Sequence, residues 1–277
     1  MRSKNACSGI FRRLSRNRLR TCGTGYPVSA AKAHSERKRF MKDYVVGIVG
    51  GMGSYATVDF FKRLIDAFPV EKEWDRPRII IDNNCTMPSR VRALLYGEKR
   101  EELESALTES VSHMLDMGVS RIVFACNTSH CFIPAVYAKI PESKSVILHI
   151  IDALGKDLAA KGIKSVGLMA TEGTIDSGIY TDTFAPYGIH VTAPTEAEYS
   201  QLREFIEAVK QNAIDKEVSA KFKAFTDSFD EDCVIMGCTE LPIMYKAAVD
   251  LGFAPDKTIF DPLQTAIDII KAEYNAA

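Results

Sequence analysis

The feature that most constrains the fold is an alternation of short apolar runs with segments of helical period, which begins at residue 44. Residues 44–50 predict a strand, and the apolar side chains that follow recur every three or four positions, as on one face of a helix. Residues 78–82 and 121–125 predict two further strands, with a long amphipathic helix over residues 103–115 between them. Strands that alternate with helices indicate βαβ units, and hence a mostly parallel sheet covered by helices.

The same alternation then starts a second time. "VGIV" at residues 46–49 returns as "VGLM" at residues 166–169, 120 positions later. "RIVFACNT" returns as "DCVIMGCT", and the cysteines of these two motifs, Cys126 and Cys238, lie 112 positions apart. Two features with similar offsets indicate an internal duplication of roughly 115 residues. We therefore predict an α/β protein with two similar Rossmann-like halves, each with a parallel sheet, related by a pseudo-twofold axis and separated by a cleft.

The predicted boundaries divide the chain into a leader and two halves. The first half takes residues 44–150 together with residues 260–277, which form a last helix that packs back on it. The second half takes residues 151–259. Residues 1–43 precede the alternation, and we expect them to be disordered or to take no part in the fold.

The leader is basic, whereas the rest of the chain is acidic. Residues 1–42 carry 12 of the 35 Lys and Arg but only one of the 36 acids, which leaves 23 bases against 35 acids in the remainder. An Arg-rich, Ser-rich, acid-poor leader fits an organelle transit peptide. The alternatives are an upstream start-site artefact or foreign sequence ahead of Met41, and a nucleic-acid-binding arm. The charge of the acidic body excludes a nucleic-acid binder.

Apolar runs and cysteine spacing indicate how the chain relates to membranes and which redox compartment suits it. No apolar run approaches the roughly 20 residues that span a bilayer, so no membrane partner is expected. The seven cysteines are odd in number and form no paired CxxC pattern, which argues against a zinc site or a disulfide framework and favours a reducing compartment. We expect a cytoplasmic protein, with organelle targeting by the leader as the alternative.

Cys126 and Cys238 each follow a predicted strand and precede a predicted helix. Ligands of open parallel sheets bind beyond the carboxyl ends of the strands, so the two thiols are expected to face each other across the cleft. Amides at a helix N-terminus lower a thiol pKa and bind anions, and Asn127, Thr128 and Thr239 add side-chain donors. A thiolate and a thiol on opposite sides of one carbon can remove a proton from one face and return it to the other, which inverts a stereocentre.

A substrate with a second carboxylate would need a further cation in the cleft. Arg90 follows the second strand and can clamp a carboxylate there, with a solvated loop arginine as the alternative. From the residues alone, Lys210 fits a surface lysine on a helix. His130 fits a structural histidine better than one that orients the neighbouring loop, and Cys85 and Cys131 are interpreted as packing residues.

A competing motif is "GGMGSYA" at residues 50–56, which matches the dinucleotide-binding fingerprint loosely. That fingerprint expects an acid about 20 residues further on, whereas Asp82 lies 29 residues beyond Gly53. A glycine turn that brings backbone close to a small substrate is the better interpretation. A nucleotide-binding domain stays open as an alternative function.

Taken together, the motifs resemble those of the aspartate/glutamate racemase family over residues 44–274. They are, in the family's order, "GIVGGMGSYAT", "NNCTMPSR", "FACNTSH", "GLMATEGTIDSGIY", "EAVK" and "GCTELP". The resemblance implies an isomerase that racemises aspartate, or glutamate, with two cysteines as bases, without pyridoxal phosphate or a metal, and as a homodimer. The alternative within the family is an isomerase or decarboxylase of another small dicarboxylic acid.

The resemblance also assigns residues. Cys126 and Cys238 would be the catalytic pair. Six residues would bind the substrate: Met52 in the glycine-rich loop, Asn127, Thr128 and Thr239 at the α-carboxylate, and Arg90 and Lys210 at the distal carboxylate. Two positions depart from the family pattern, because Ser54 stands where many relatives have proline and Ser89 where an acid often precedes the arginine. These departures bear on side-chain specificity more than on the chemistry.

Overall fold

The structure, a computed structural model, describes residues 44–276. Its first sheet has the order β2-β1-β3, and its second has the order β5-β4-β6-β7. Every pair of neighbouring strands is parallel. The strands are β1 (Val45–Gly50), β2 (Arg78–Asn83), β3 (Arg121–Phe124), β4 (Ser165–Met169), β5 (His190–Thr192), β6 (Cys233–Met236) and β7 (Thr258–Phe260).

Helices connect and cover these strands. They are α1 (Ser54–Asp66), α2 (Arg90–Tyr96), α3 (Arg100–Asp116), α4 (Ile133–Lys139), α5 (Ile150–Ala160), α6 (Glu172–Asp176), α7 (Ile179–Phe184), α8 (Tyr199–Lys210), α9 (Lys216–Asp227), α10 (Leu241–Asp250) and α11 (Pro262–Ala276). Within the described residues no helix is both long and apolar enough to cross a bilayer.

The predicted α/β architecture is confirmed. In both sheets the first strand along the chain lies between the second and the third, so β1 to β3 and β4 to β6 share one order and one direction. The repeated "VGIV" and "VGLM" motifs fall on β1 and β4, and the strands that lead to the two cysteines are β3 and β6. The repeats in the sequence therefore correspond to equivalent strands, whereas the pseudo-twofold axis and the domain boundaries stay predictions.

Alternating side chains divide the apolar interior into three cores. In β1, Val46 and Ile48 point into a core shared with Val166 and Leu168 of β4, whereas Val49 belongs to a separate core on the other face of its sheet. A third core lies on the far face of the second sheet. The shared core includes side chains of α1, α5 and α11, so it joins the two sheets directly.

Helix α11 packs beside the first strand of the first sheet. Glu273 accepts a hydrogen bond from the Tyr44 hydroxyl (2.6 Å) and one from Nε of Arg121 (2.9 Å). Next to it, the ring of Tyr274 packs edge-to-face on Tyr44 and Phe68. Contacts between residues this far apart in sequence tie the end of the chain to its first strand.

The start of this last helix differs from the prediction by two residues. Phe260 does not begin the helix, because it ends β7 in the second sheet. The carboxylate of Asp261 then accepts a hydrogen bond from the backbone N–H of Leu263 (2.9 Å). Pro262 is the first helical residue, where a missing N–H costs nothing.

Candidate active site

One cavity of about 100 Å³ contains all eight residues that the sequence assigned to the site. Cys126 follows the end of β3 and Cys238 follows the end of β6, so the cavity lies at the carboxyl ends of strands from both sheets. Its volume is well below the roughly 300–1,000 Å³ of sites for drug-sized ligands, which favours a substrate of amino-acid size. Three larger cavities, of about 740, 400 and 410 Å³, contain neither cysteine.

The backbone carbonyl of Cys126 is held by two side chains. It accepts hydrogen bonds from Oγ of Ser129 (2.7 Å) and from Nδ1 of His130 (2.9 Å). The residue Cys126 is 6% exposed. After Cys126 the chain enters a single 3₁₀ turn, Thr128–Phe132, before α4 begins. The predicted α-helix directly behind this cysteine is therefore replaced by a tighter turn.

His130 is a buried structural residue that also fixes this loop. Its Nε2 accepts a hydrogen bond from the backbone N–H of Ile150 (3.3 Å), which leaves Nδ1 as the donor to Cys126. Burial, with a smaller contribution from the neighbouring His149, lowers the pKa of His130 to about 3. The imidazole is therefore neutral near pH 7. His130 is both a structural histidine and a residue that orients the neighbouring loop.

The buried histidine predicts a specific dependence of stability on pH. As the pH falls from about 6.5 towards about 3, the unfolded chain binds a proton at His130 that the native protein does not, so stability is lost by up to about 1.4 kcal/mol per pH unit. We expect His130→Asn to reduce this slope, while His149, whose pKa burial also lowers, still contributes to it. Urea unfolding between about pH 7 and about pH 4 measures it. His113→Asn, at an exposed position on α3, is the matched control, and an unchanged slope in His130→Asn would contradict the assignment.

Asn127 places an unused donor in the cavity. Its Oδ1 accepts a hydrogen bond from the Tyr180 hydroxyl (2.9 Å), while its Nδ2 is buried and has no hydrogen-bond partner within residues 44–276. Burial raises the pKa of Tyr180 well above its ordinary value, so the hydroxyl stays a donor and the amide orientation is fixed. Buried polar groups nearly always have a partner. This N–H group can therefore donate to an acceptor on a bound ligand, such as a carboxylate.

Thr128 joins a ring of hydroxyl groups that connects the two sheets. Its Oγ1 lies 2.7 Å from Oγ1 of Thr174 and 3.2 Å from Oγ1 of Thr171, and these two lie 2.9 Å apart. Thr171 caps α6 and also faces the cavity, although the sequence analysis did not assign it. Hydroxyl protons can rotate, so this ring can turn a donor towards a carboxylate.

Cys238 lies in a different environment from the one the sequence predicted. It is 8% exposed, and its Sγ donates a hydrogen bond to Oε2 of Glu240 (3.0 Å). Burial raises the pKa of Cys238 well above its ordinary value, and the charge of Glu240 and the hydrogen bond to it raise it further. The prediction that a helix N-terminus lowers this pKa is wrong, because burial and the carboxylate outweigh the nearby backbone amides.

Glu240 is a residue of the site that the sequence analysis missed. It lines the cavity and is only 3% exposed. In the sequence it follows Thr239 and directly precedes α10, where an acid ordinarily stabilises a helix terminus from the surface. A signal was available nonetheless, because "CTEL" places this acid two residues from a candidate catalytic thiol.

The glycine-rich loop brings backbone close to the cavity, as interpreted from the sequence. Gly51 has φ = +82°, and a Cβ there would lie 2.3 Å from the carbonyl carbon of Asn84. At Gly53 a Cβ would lie 2.5 Å from Oε1 of Glu240. Met52, between the two glycines, lines the cavity. The loop needs glycine in order to pass its neighbours closely.

Two cations reach the cavity from different elements. Arg90, at the start of α2, donates hydrogen bonds to the carbonyl oxygens of Met52 (2.7 Å) and Pro88 (3.1 Å). Lys210 ends α8 and donates to Oε1 of Glu207 (2.8 Å). Burial lowers the pKa of Lys210, but Glu207 and the charge of Glu240 reverse this, so the pKa is raised and the ammonium stays charged.

A family model supplies an independent comparison. Residues 49–270 match the model of the Asp/Glu/Hydantoin racemase family. The chain belongs to this family. The resemblance of the motifs is thereby confirmed, and the protein is a racemase-type isomerase by family.

Individual members of the racemase family agree in length and fold. The chain is 26% identical to the broad specificity amino-acid racemase RacX of Bacillus subtilis over 207 residues, 71% of this chain and 86% of the relative. It is 28% identical to the glutamate racemase of Lactobacillus acidophilus over 204 residues, 73% of this chain and 70% of the relative. The structure of Picrophilus torridus aspartate racemase superposes with a TM-score of 0.68 at 25% identity, and the match covers 84% of this chain and 94% of that one.

The departures from the racemase family pattern have different positions. Ser89 lines the cavity and caps α2, because its Oγ accepts a hydrogen bond from the N–H of Arg92. Ser54 instead lies beside Cys85, with its Oγ 3.0 Å from Sγ of Cys85.

The two cysteines interpreted as packing residues have different outcomes. Cys85 is exposed, so its interpretation as a packing residue is wrong; it lies on the loop after β2, outside the cores. Cys131 is half-buried and packs against the core of the first sheet, as expected.

The described residues contain no candidate metal-binding site. Among residues 44–276, no three His, Cys, Asp or Glu side chains are grouped so that they could hold a metal ion. The polar groups that converge on the cavity are thiols, amide and hydroxyl donors, cations and one carboxylate. This set suits the binding of an anion and the transfer of a proton.

Proposed function

We propose that this protein racemises an acidic amino acid, aspartate first and glutamate second, by proton transfer between Cys126 and Cys238. The observation that carries the proposal is that these two cysteines, which follow equivalent strands of two sheets, line one small cavity. The relatives are named as aspartate, glutamate and broad specificity amino-acid racemases, which supports the substrate class. A second thiol in the cavity favours racemisation over single-cysteine isomerase or decarboxylase chemistry.

The α-carboxylate would lie against the donors around Cys126. The Nδ2 of Asn127 and the hydroxyl of Thr128 are offered from the first sheet. The hydroxyl of Thr239, which donates to Glu240 at 3.3 Å, would turn from that carboxylate to the substrate from the second sheet. Negative charge grows on this carboxylate as the α-proton leaves, so fixed donors stabilise the transition state more than the bound substrate. Met52 would form the wall of the cavity beside the substrate.

The distal carboxylate would lie between Arg90 and Lys210. Two of the five guanidinium N–H groups of Arg90 bind backbone carbonyls, and the others remain for a planar carboxylate. Lys210 adds a charge from the rim of the cavity, where its side chain is 45% exposed. A substrate without this second carboxylate would leave Arg90 with backbone carbonyls alone and Lys210 with Glu207 alone, which gives the site a preference for acidic amino acids.

The proton transfer needs one thiolate and one thiol. The thiolate takes the α-proton from one face, and the electron pair left on Cα takes a proton from the thiol on the other face. The substrate leaves with inverted configuration, and the two sulfurs have exchanged their protonation states. The resemblance to the family implies that no cofactor takes part in these steps.

We also propose that the protein is a cytoplasmic homodimer with two α/β halves, 44–150 with 260–277 and 151–259. The support for a dimer is a set of exposed apolar side chains, Tyr55 and Val58 on α1 and Ile81 on the edge strand β2. Light scattering of the purified protein measures its mass in solution. A monomer at micromolar concentration would contradict the dimer.

Proton NMR tests the function directly. The purified protein is incubated in D₂O with L-aspartate or L-glutamate, without pyridoxal phosphate or metal, and the α-proton signal is followed while a chiral assay measures the D-isomer. Loss of the signal together with D-isomer is the expected result, with aspartate faster than glutamate. A folded protein that exchanges neither substrate would overturn the proposal, and Arg90 and Lys210 would be the first assignments to revise.

A further inference from the structure

Glu240 is an acid that burial alone would disfavour. Only 3% of the residue is exposed, and a buried carboxylate is costly unless it has partners. Its Oε2 accepts hydrogen bonds from Sγ of Cys238 (3.0 Å) and from Oγ1 of Thr239 (3.3 Å). Its Oε1 lies over Gly53, at the place where any side chain would collide with it. The fold therefore makes room for this carboxylate and directs it at one of the two thiols.

The two cysteines differ in this respect. Among the described residues no carboxylate hydrogen-bonds to the sulfur of Cys126. The side chains of Ser129 and His130 bind its backbone carbonyl oxygen instead. A carboxylate next to Cys238 disfavours negative charge on that sulfur, because like charges repel. The site is thus asymmetric, although its two halves repeat the same motif.

We propose that Glu240 is a positioning residue that holds Cys238 as the thiol while Cys126 is the thiolate, and that it thereby sets the upper pH limit of activity. This inference rests on the proposed racemase function. The competent enzyme has one thiolate and one thiol, so activity rises when the first thiol ionises and falls when the second does. Glu240 delays the second ionisation and so widens the active range on its alkaline side.

The proton balance of the cycle follows from this arrangement. When Cys126 takes the α-proton, the Cα–H bond breaks and an S–H bond forms, and the electron pair on Cα takes the proton of Cys238. Cys238 is then a thiolate beside a carboxylate, which favours the return of a proton to its sulfur. The charged groups that act on Cys238 are Glu240 and Cys126, with Lys210 from α8 offsetting part of the repulsion. Tyr180 of α7 is uncharged, because burial raises its pKa well above its ordinary value, and its hydroxyl donates to Asn127.

Glu240→Gln tests the inference, because it keeps the shape but removes the charge. Cys238 labelling by iodoacetamide is measured between about pH 6 and about pH 10 by mass spectrometry of its peptide, since only the thiolate reacts. We expect the midpoint of labelling to fall by about one pH unit or more in the variant. We expect the alkaline limb of the kcat/KM profile to fall by a similar amount, because the glutamine amide can also donate a hydrogen bond to the thiolate.

Two further variants separate this role from a merely structural one. In Gly53→Ala the added methyl group would collide with the carboxylate of Glu240 and displace it from Cys238. Both readouts should therefore shift in the same direction as in Glu240→Gln. Glu204→Gln removes an exposed carboxylate of α8 that pairs with Lys221 and does not line the cavity, so both readouts should stay at their wild-type pH. Circular dichroism confirms that each variant is folded.

The outcomes distinguish this inference from the proposed function. An unchanged labelling midpoint in folded Glu240→Gln overturns the inference, even if the wild-type enzyme racemises aspartate. A wild-type protein that racemises no acidic amino acid overturns the proposed function, and labelling then still decides whether Glu240 holds the proton on Cys238. A shift in labelling together with a shift in the alkaline limb supports both.

Discussion

Replacing either Cys126 or Cys238 with serine is expected to lower the rate of racemisation by at least about a hundredfold, and by up to about ten-thousandfold. A serine hydroxyl is far less acidic than a thiol, so it neither forms the anion that removes the α-proton nor returns a proton at a useful rate. Both sulfurs line the same cavity, and the loss of either leaves one face of the substrate without a proton carrier.

The two serine variants should also differ from each other. Each keeps one thiol, which can still remove and return the α-proton on its own face. We therefore expect exchange with D₂O, without inversion, for one enantiomer in Cys126→Ser and for the opposite enantiomer in Cys238→Ser. Proton NMR of L- and D-aspartate measures this. Cys85→Ser, at an exposed cysteine outside the cavity, is the matched control, and racemisation at the wild-type rate in either active-site variant would refute the two-thiol mechanism.

Arg90→Met is expected to lower kcat/KM for aspartate by roughly 30-fold to a few thousandfold, because it leaves a distal carboxylate in a small cavity without its bidentate partner. Lys210 cannot replace it, since an ammonium at the rim is a point charge without the planar fork of a guanidinium. Steady-state kinetics with aspartate and with alanine measure the effect. The ratio of the two kcat/KM values should fall towards one in the variant.

Arg92→Met is the matched control for this experiment. Arg92 lies on the same helix, is exposed and pairs with Glu98 rather than facing the cavity. It should leave both kcat/KM values unchanged. An equal loss for aspartate and alanine in Arg90→Met would instead show that Arg90 supports the glycine-rich loop through the carbonyl of Met52, and the distal-carboxylate assignment would have to be given up.

Much of the fold was predictable because its elements carry strong periodic signals. The strands that lead to the two cysteines and the long helix α3 have apolar patterns that few alternatives satisfy. The strands β5 and β7 were not predicted. Each has only three residues and is partly exposed, so its pairing with a neighbour, and not its own pattern, makes it a strand.

The site shows the same division between local and tertiary information. The types and spacing of residues predicted that Cys126, Cys238 and their neighbours form the site, because these residues lie in contiguous motifs. Glu240 and Thr171 stand in those motifs too, but their roles depend on burial and on partners from other elements. The direction of the pKa shift of Cys238 was predicted wrongly for this reason. The position of a cysteine before a helix can be read from neighbouring residues, whereas its burial depends on residues distant in the sequence.

The long-range contacts of α11 also bear on how the chain folds during synthesis. Glu273 and Tyr274 complete the packing around Tyr44 and Arg121, although more than 150 residues separate each pair. At roughly 5–20 residues per second, the ribosome needs on the order of 10 s or more to make the intervening chain. Part of the apolar surface of the first sheet therefore stays uncovered until residues 262–276 have been synthesised. We expect nascent chains that stop before residue 262 to need chaperones, and longer chains to close this core once residues 262–276 have left the ribosome.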